Sequence, residues 1–289
     1  MTTSTTRRAI LRGAAAALAA MASRTATAQQ MQTHLPKGVA PKPRGPVVFL
    51  DYDKEELDYA YRQDVWAPNA ADIARRNAQK NAAARARLGP PRRLRYGSTD
   101  VERLDLYATS RPDSPIHVHI HGGQWRTGTA AGDACFAEMF VDAGVHFISI
   151  DFNTVIETNG DLMPLAQQAR RAVAWVYNNA AMFGGDANRL YLSGHSSGAH
   201  LAAVVLTTRW QDQGLPMNIV KGGLCCSGMY DLYPVSLSAR SSFVTFTAEV
   251  IDALSPQRHL DTLVGPWWWR TAPWRRRSSS GRVETSLRR

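Results

Sequence analysis

The segment Gly194-His195-Ser196-Ser197-Gly198 has the residue types and spacing of a serine nucleophile held in a sharp turn. The run Leu190–Ser193 before it is typical of a strand, and Ala199–Leu206 after it is typical of an apolar helix. A strand-to-helix turn with glycines flanking the serine projects the hydroxyl above a sheet. The helix that follows places its positive dipole end beside a developing oxyanion. Ser196 is therefore the candidate nucleophile.

A second segment, His121-Gly122-Gly123-Gln124-Trp125, has the composition of an oxyanion loop. It follows the strand Ile116–His121, and its glycines allow main-chain N–H groups to turn towards a reacting carbonyl. The candidate oxyanion hole consists of the backbone N–H groups of Gly122, Gly123, Gln124 and Ser197. Taken alone, the segment fits an ordinary Gly-Gly turn equally well, so the order of the two segments carries the prediction.

Three histidines alternate along the same strand, His117, His119 and His121, so one strand face carries three imidazoles. This pattern raises the alternative of a metal-dependent hydrolase. A metal site of that kind needs an acid and another histidine directly afterwards, and Gly122-Gly123 follow instead. We therefore expect no metal, and histidines with satisfied hydrogen bonds beneath the oxyanion loop.

The elements around these segments predict a mostly parallel sheet with helices on both faces, an α/β fold. An antiparallel pair of strands is followed by strands that alternate with helices. The predicted strands are Arg92–Tyr96, Arg103–Ala108, Ile116–His121, Val145–Asp151, Arg189–Ser193 and Ile219–Ser227. The predicted helices are Ala70–Leu88, Ala134–Ala143, Leu165–Met182 and Ser197–Trp210.

Charge is concentrated at the two ends of the 289-residue chain, whose net charge is +10. Residues 1–28 carry four arginines and no acid, and residues 270–289 carry seven arginines and one glutamate, so the middle is nearly neutral. A nucleic-acid-binding domain carries its basic residues on the folded part, so we exclude that class. The three cysteines are Cys135 and the adjacent pair Cys225 and Cys226. They form no disulfide framework and no C-x-x-C metal pattern, and the pair is expected in the core.

The N-terminus resembles a twin-arginine export signal. The segment Thr6–Arg12 contains the arginine pair, Gly13–Ala22 is apolar, and Ala26-Thr27-Ala28 offers a cleavage site. The apolar stretch is too short to span a bilayer comfortably. We expect export by the twin-arginine machinery to the periplasm or medium, with cleavage near Ala28. A disordered basic N-terminus is the alternative.

The two catalytic segments resemble the kynurenine formamidase (arylformamidase) and carboxylesterase branch of the α/β-hydrolases. Supporting stretches lie at Tyr96-Gly97, Leu104–Tyr107, Ser227–Leu232 and Leu254–Leu260, and the likeness covers about residues 57–260. It implies an α/β-hydrolase fold and hydrolysis of an aryl formamide or small ester through a serine acyl-enzyme, with no metal or cofactor. It also implies that Trp125 lines the acyl pocket; a core aromatic is the alternative.

The same resemblance exposes a gap near the C-terminus. The family places its triad acid after the seventh strand and its histidine after the eighth, but no histidine follows His259, and the acids after Leu260 are Asp261 and Glu284. Gly265–Arg270 and Arg275–Ser280 resemble no hydrolase element. We therefore expect the last strands to be missing and residues 261–289 to be an aberrant Arg-rich tail. A frameshift near residues 261–266 is our hypothesis; a genuine divergent tail is the alternative.

These observations divide the chain into an export signal (1–28), an extended linker (29–56), a hydrolase domain (57–260) and the tail (261–289). They predict a serine hydrolase for a small ester or amide. An inactive remnant, truncated or serving as a binding protein, is the competing interpretation, and a serine peptidase is a weaker one. Because formamidases of this family act inside cells, the export signal favours a general esterase.

Overall fold

The computed structural model describes residues 34–265 and the backbone of residues 267–270. The export signal and the tail beyond Arg270 lie outside the described residues. The chain divides into two compact units, Met1–Trp66 and Ala67–Arg289. The domain bounds inferred from the sequence stay a prediction.

The first unit contains a small hairpin and a helix where the sequence predicted an extended linker through residue 56. Strands β1 (Val47–Phe49) and β2 (Tyr52–Asp53) pair antiparallel, and α1 (Lys54–Ala60) follows. The reason is a capping box: the Asp53 carboxylate accepts from the Glu56 N–H at 2.8 Å, and Glu56 accepts from the Asp53 N–H at 3.0 Å. This reciprocal pair starts a helix within the predicted linker.

A seven-stranded sheet forms the centre of the second unit, in the order β3-β4-β6-β5-β7-β8-β9. The first two pairings, β3 with β4 and β4 with β6, are antiparallel, and the other four are parallel. This confirms the predicted mostly parallel sheet. The strands are β3 (Arg92–Arg95), β4 (Arg103–Tyr107), β5 (Ser114–Ile120), β6 (His146–Ile150), β7 (Gly185–His195), β8 (Gly222–Cys226) and β9 (Trp267–Arg270).

Helices cover both faces of this sheet because the strand side chains are apolar on both sides. On one face, Phe147 of β6 packs with Ala134 and Ala137. On the other, the helices Met163–Asn179 and Ser197–Leu206 pack against each other and against β7. The helices are α2 (Ala70–Leu88), α3 (Ala137–Asp142), α4 (Met163–Asn179), α5 (Ser197–Leu206), α6 (Leu232–Ser236) and α7 (Ala248–Ala253). Short 3-10 helices lie between them, and one, Ala130–Phe136, precedes α3 where a single helix was predicted.

The edge strand β9 differs from the expectation for the C-terminus. Trp267–Arg270, assigned from sequence to an aberrant tail, pairs parallel with β8, with Gly223 opposite Trp267. Two physical causes favour this pairing: tryptophan has a high strand propensity, and an unpaired edge strand presents free N–H and C=O groups. One strand beyond β8 is therefore present. The frameshift stays a prediction.

Two further features concern the described residues alone. No helix there is both long and apolar enough to cross a bilayer. The cysteines are all free thiols; Cys225 is buried, as expected, whereas Cys226 is only partly buried because alternate residues of β8 point to opposite faces.

Candidate active site

The turn between β7 and α5 holds Ser196 in a strained backbone conformation. Its φ is 55° and its ψ is −122°, a region that non-glycine residues rarely adopt. The Ser196 N–H donates to the carbonyl of Cys226 on β8 at 2.8 Å, and the Ser196 carbonyl accepts from the N–H of His200 at 3.1 Å. These two bonds fix the turn to the neighbouring strand and to the helix. Such strain of about 1–3 kcal/mol persists where the surroundings over-determine it, and it is typical of functional sites.

The oxyanion loop, His121–Trp125, lies directly against this turn. A side chain at Gly122 would place its Cβ 2.8 Å from the carbonyl oxygen of His195 and 3.3 Å from the Cβ of Ser196. Only glycine allows so close an approach, so the loop backbone reaches the nucleophile. The structure thus brings together Gly122 and Ser196, which are 74 positions apart in the sequence.

Backbone donors are available on both sides of Ser196. Among the described residues, the N–H groups of Gly123 and Gln124 donate to no acceptor. Ser197 is the first residue of α5, so its N–H has no partner within the helix, and the helix dipole adds positive potential there. With Gly122, these residues make up the oxyanion hole that the sequence predicts. Their placement beside a reacting oxygen stays a prediction.

Trp125 ends the oxyanion loop and is buried, with 2% of its surface exposed. Its indole N–H donates to Nδ1 of His200 at 3.2 Å, and the two rings meet edge to face with centroids 5.2 Å apart. The sequence did not predict this pairing. The resemblance assigns Trp125 to an acyl pocket, and that role stays a prediction.

The alternating histidines of β5 form a polar cluster with Ser193 of β7. Nε2 of His117 lies 2.7 Å from the Ser193 hydroxyl, Nδ1 of His119 lies 2.8 Å from it, and Nε2 of His119 faces a carboxylate oxygen of Asp133 at 3.3 Å. A hydroxyl has one proton, so Ser193 donates to one ring and accepts from the other. When the Ser193 hydroxyl donates to Nδ1 of His119, the ring proton is on Nε2 and faces Asp133. This arrangement is favourable because the N–H group then points at a negatively charged carboxylate. Ser193 and Asp133 were not identified from the sequence.

The third histidine of the row has a different partner: Nδ1 of His121 donates to the carbonyl of Gly122 at 2.9 Å. Burial lowers the pKa of His121. Within the described part of the chain, no group of three or more His, Cys, Asp or Glu side chains is placed to hold a metal ion.

The last histidine of the chain and the acid that follows it have partners other than Ser196. Seven of the eight histidines have described hydrogen bonds to groups other than Ser196. His259 donates to the carbonyl of Asp252 at 2.8 Å, and Asp261 lies 3.8 Å from Arg209. The last histidine and the acid beside it are therefore engaged elsewhere.

Two buried histidines predict how stability depends on pH. Burial lowers the pKa of His117 to about 3 and that of His200 to about 4. Below about pH 6.5 the unfolded chain protonates these rings while the folded chain does not, so the free energy of unfolding falls as the pH falls. We expect a loss of about 2 kcal/mol per ring between pH 7.5 and pH 5, measured by urea unfolding. Equal stability at the two pH values would contradict the buried neutral rings.

Comparisons with known proteins agree on a broad class. A family described as BD-FAE matches residues 104–222. Kynurenine formamidase of Danio rerio is 34% identical over 218 residues, which cover 73% of this chain and 72% of that protein. Isoprenylcysteine alpha-carbonyl methylesterase ICME of Arabidopsis thaliana is 31% identical over 150 residues, which cover 49% of this chain and 35% of that protein. The solved structure of Thermogutta terrifontis esterase 2 has a TM-score of 0.53 at 21% identity, and the match covers 63% of this chain and 71% of that one. This last likeness concerns the fold alone.

Proposed function

Because the chain belongs to the formamidase and esterase group of the α/β-hydrolases, we propose that it cleaves a carboxylic ester or an aryl formamide through an acyl-enzyme on Ser196. The observation that carries this proposal is the strained turn at Ser196, held between β7 and α5 with the oxyanion loop against it. Such a turn exposes a hydroxyl to an incoming carbonyl and surrounds it with backbone donors.

The reaction follows from these groups. The Ser196 oxygen attacks the carbonyl carbon and loses its proton, and the resulting oxyanion accepts hydrogen bonds from the N–H groups of Gly123, Gln124 and Ser197. Collapse of the intermediate breaks the bond to the leaving group, which takes up the proton that Ser196 lost and departs as an alcohol from an ester or as an aromatic amine from a formamide. Water then attacks the acyl-enzyme, releases the acid and returns the proton to Ser196.

Removal of the Ser196 hydroxyl proton requires a base. A serine hydroxyl without a neighbouring base is a poor nucleophile at neutral pH. Because no histidine follows His259, where the family places its triad base, we expect turnover of p-nitrophenyl acetate to be far slower than in a relative with a complete triad.

The substrate class rests on the relatives. Their names describe a formamidase, a methylesterase and esterases, so ester and formamide carbonyls are the groups to test. Trp125 would border the acyl group. We propose further that the export signal of residues 1–28 sends the enzyme out of the cytoplasm, where a general esterase fits better than a formamidase.

A fluorophosphonate probe tests the proposed function, because it phosphonylates serines that an enzyme activates. We expect one adduct per chain, located on the Ser196 peptide by mass spectrometry, together with slow hydrolysis of p-nitrophenyl acetate or formanilide. Heat-unfolded protein is the control for non-specific labelling. A folded chain that forms no adduct, or forms it on another residue, would show that the site is inactive or wrongly assigned.

A further inference from the structure

The oxyanion loop contains two consecutive residues in the left-handed backbone region. Gln124 and Trp125 both have φ values of 60°. Each such non-glycine residue costs about 1–2 kcal/mol, so the loop relaxes unless other contacts hold it. Relaxation would rotate the peptide planes that carry the proposed oxyanion donors. The contacts that hold Trp125 therefore decide whether the loop keeps its shape.

Trp125 is held at both its backbone and its side chain. Its carbonyl accepts from the Val155 N–H at 2.6 Å, and its indole N–H donates to Nδ1 of His200 at 3.2 Å. Rotation of the indole ring would leave its buried N–H without an acceptor, which costs about 1–3 kcal/mol. The bond therefore holds the ring in its present orientation. The guanidinium of Arg240 lies over the indole ring, 5.7 Å from its centroid. These contacts fix the end of the loop.

His200 can accept this bond in only one protonation state. Its surface is completely buried, and its Nε2 lies 2.7 Å from the carbonyl of Leu254, an atom that only accepts. Nε2 therefore carries the proton, and Nδ1 is left with the lone pair that Trp125 requires. Burial lowers the pKa of His200 to about 4, which keeps the ring neutral near pH 7. The imidazole thus joins the loop to the segment that follows α7.

The position of His200 on α5 connects the Trp125–His200 hydrogen bond to the nucleophile. Its N–H bonds to the Ser196 carbonyl, so the ring stands one helical turn after the nucleophile. One side chain thereby couples the helix that carries Ser196 to the loop that carries the opposing donors. A shift of either element moves the other through the Trp125–His200 bond.

We infer that His200 is a positioning residue that, through Trp125, holds the N–H groups of Gly123 and Gln124 in place beside Ser196. This inference rests on the proposed function, since it concerns the same nucleophile. His200 does not itself touch the substrate or take the serine proton, because both of its ring nitrogens are engaged.

Four variants separate this role from simple packing. Trp125→Phe keeps an aromatic ring and removes the donor. His200→Gln keeps an N–H near Leu254 and removes the acceptor at the Nδ1 position, whereas His200→Asn places an amide oxygen at that position. Trp210→Phe is the matched control, since Trp210 is equally buried and lies outside the site.

The rate of fluorophosphonate labelling, measured against probe concentration, separates the maximal rate from probe binding. We expect Trp125→Phe and His200→Gln to lower the maximal rate about 10-fold or more with little change in probe binding, because an oxyanion donor contributes to the transition state. His200→Asn should recover most of the rate, and Trp210→Phe should stay within about threefold of the parent chain. Equal maximal rates in all five proteins would overturn the inference, and so would a loss in His200→Asn as large as in His200→Gln, with thermal unfolding showing every variant folded.

A second readout does not depend on Ser196 chemistry. Nitrogen NMR of the imidazole should show an unprotonated Nδ1 and a protonated Nε2 at His200, and the amide resonances of Gly123 and Gln124 should shift in Trp125→Phe but not in Trp210→Phe. If the parent chain resists labelling, the proposed function fails, and these resonances alone decide the positioning role. An Nδ1-protonated ring, or unmoved loop resonances, would contradict it.

Discussion

Replacing Ser196 with alanine is expected to abolish fluorophosphonate labelling and to reduce hydrolysis of p-nitrophenyl acetate to the uncatalysed rate. No other hydroxyl is held in a strained strand-to-helix turn against the oxyanion loop in the described residues. The substitution removes one buried oxygen and keeps the Cβ, so the fold should survive it. The measurement is steady-state release of p-nitrophenol, alongside thermal unfolding to show that the variant is folded.

The control for this variant is Ser242→Ala. The Ser242 side chain is exposed and bonds only to the carbonyl of Ala239 at 2.8 Å, so its removal should change neither labelling nor hydrolysis. Hydrolysis that persists in Ser196→Ala at the parent rate would place the nucleophile elsewhere. Catalysis that is fast in the parent chain and lost in Ser196→Ala would instead show that a base activates Ser196.

Gly198→Ala is expected to cause a large loss of stability. A Cβ at this position would overlap the carbonyl oxygens of Ile120 and His121 and lie 2.6 Å from the carbonyl carbon of His121. These are backbone atoms at the end of a central strand, so they cannot move aside cheaply. We expect a loss of about 3 kcal/mol, the upper end of the usual cost of overpacking, because the atoms that a Cβ would meet belong to the backbone. This corresponds to a fall in Tm of about 6–12 °C, measured by thermal unfolding.

Gly132→Ala provides the comparison for that substitution. A Cβ there would meet only the hydroxyl of Thr129, at 3.7 Å, which is ordinary contact. Its Tm should stay close to that of the parent chain. If Gly198→Ala is as stable as Gly132→Ala, then α5 does not lie as close to β5 as the structure shows, and the placement of Ser196 relative to the oxyanion loop is wrong as well.

Local patterns predicted the main features of the fold. Alternation of short apolar runs with helical patterns indicated the parallel sheet, and Ser196 and Gly122 were found because each lies in a short motif tied to the end of a strand. These signals depend only on residues that are close in the sequence, so they can be recognised without the three-dimensional structure. The antiparallel start of the sheet was visible for the same reason, since its two strands are joined by one short turn.

The features that the sequence did not predict all depend on contacts between distant segments. The Trp125–His200 bond joins residues 75 positions apart, and the partnership of Ser193 with two histidines depends on the register of β5 and β7. The strand at Trp267–Arg270 was missed because its composition resembles no family element, while its pairing is decided by the free edge of β8. The local composition of each segment does not predict such pairings.

The bond from the Ser196 amide to the Cys226 carbonyl makes the nucleophile a rung of the β7–β8 ladder. Local unfolding of β8 would therefore release the turn that holds Ser196. The reactivity of Ser196 thus depends on the local stability of β8. The Ser196 amide proton is a natural reporter of this coupling, because its exchange with solvent records each opening of the margin. The stability of β8 and β9 would then set the fraction of molecules in which the Ser196 turn is intact.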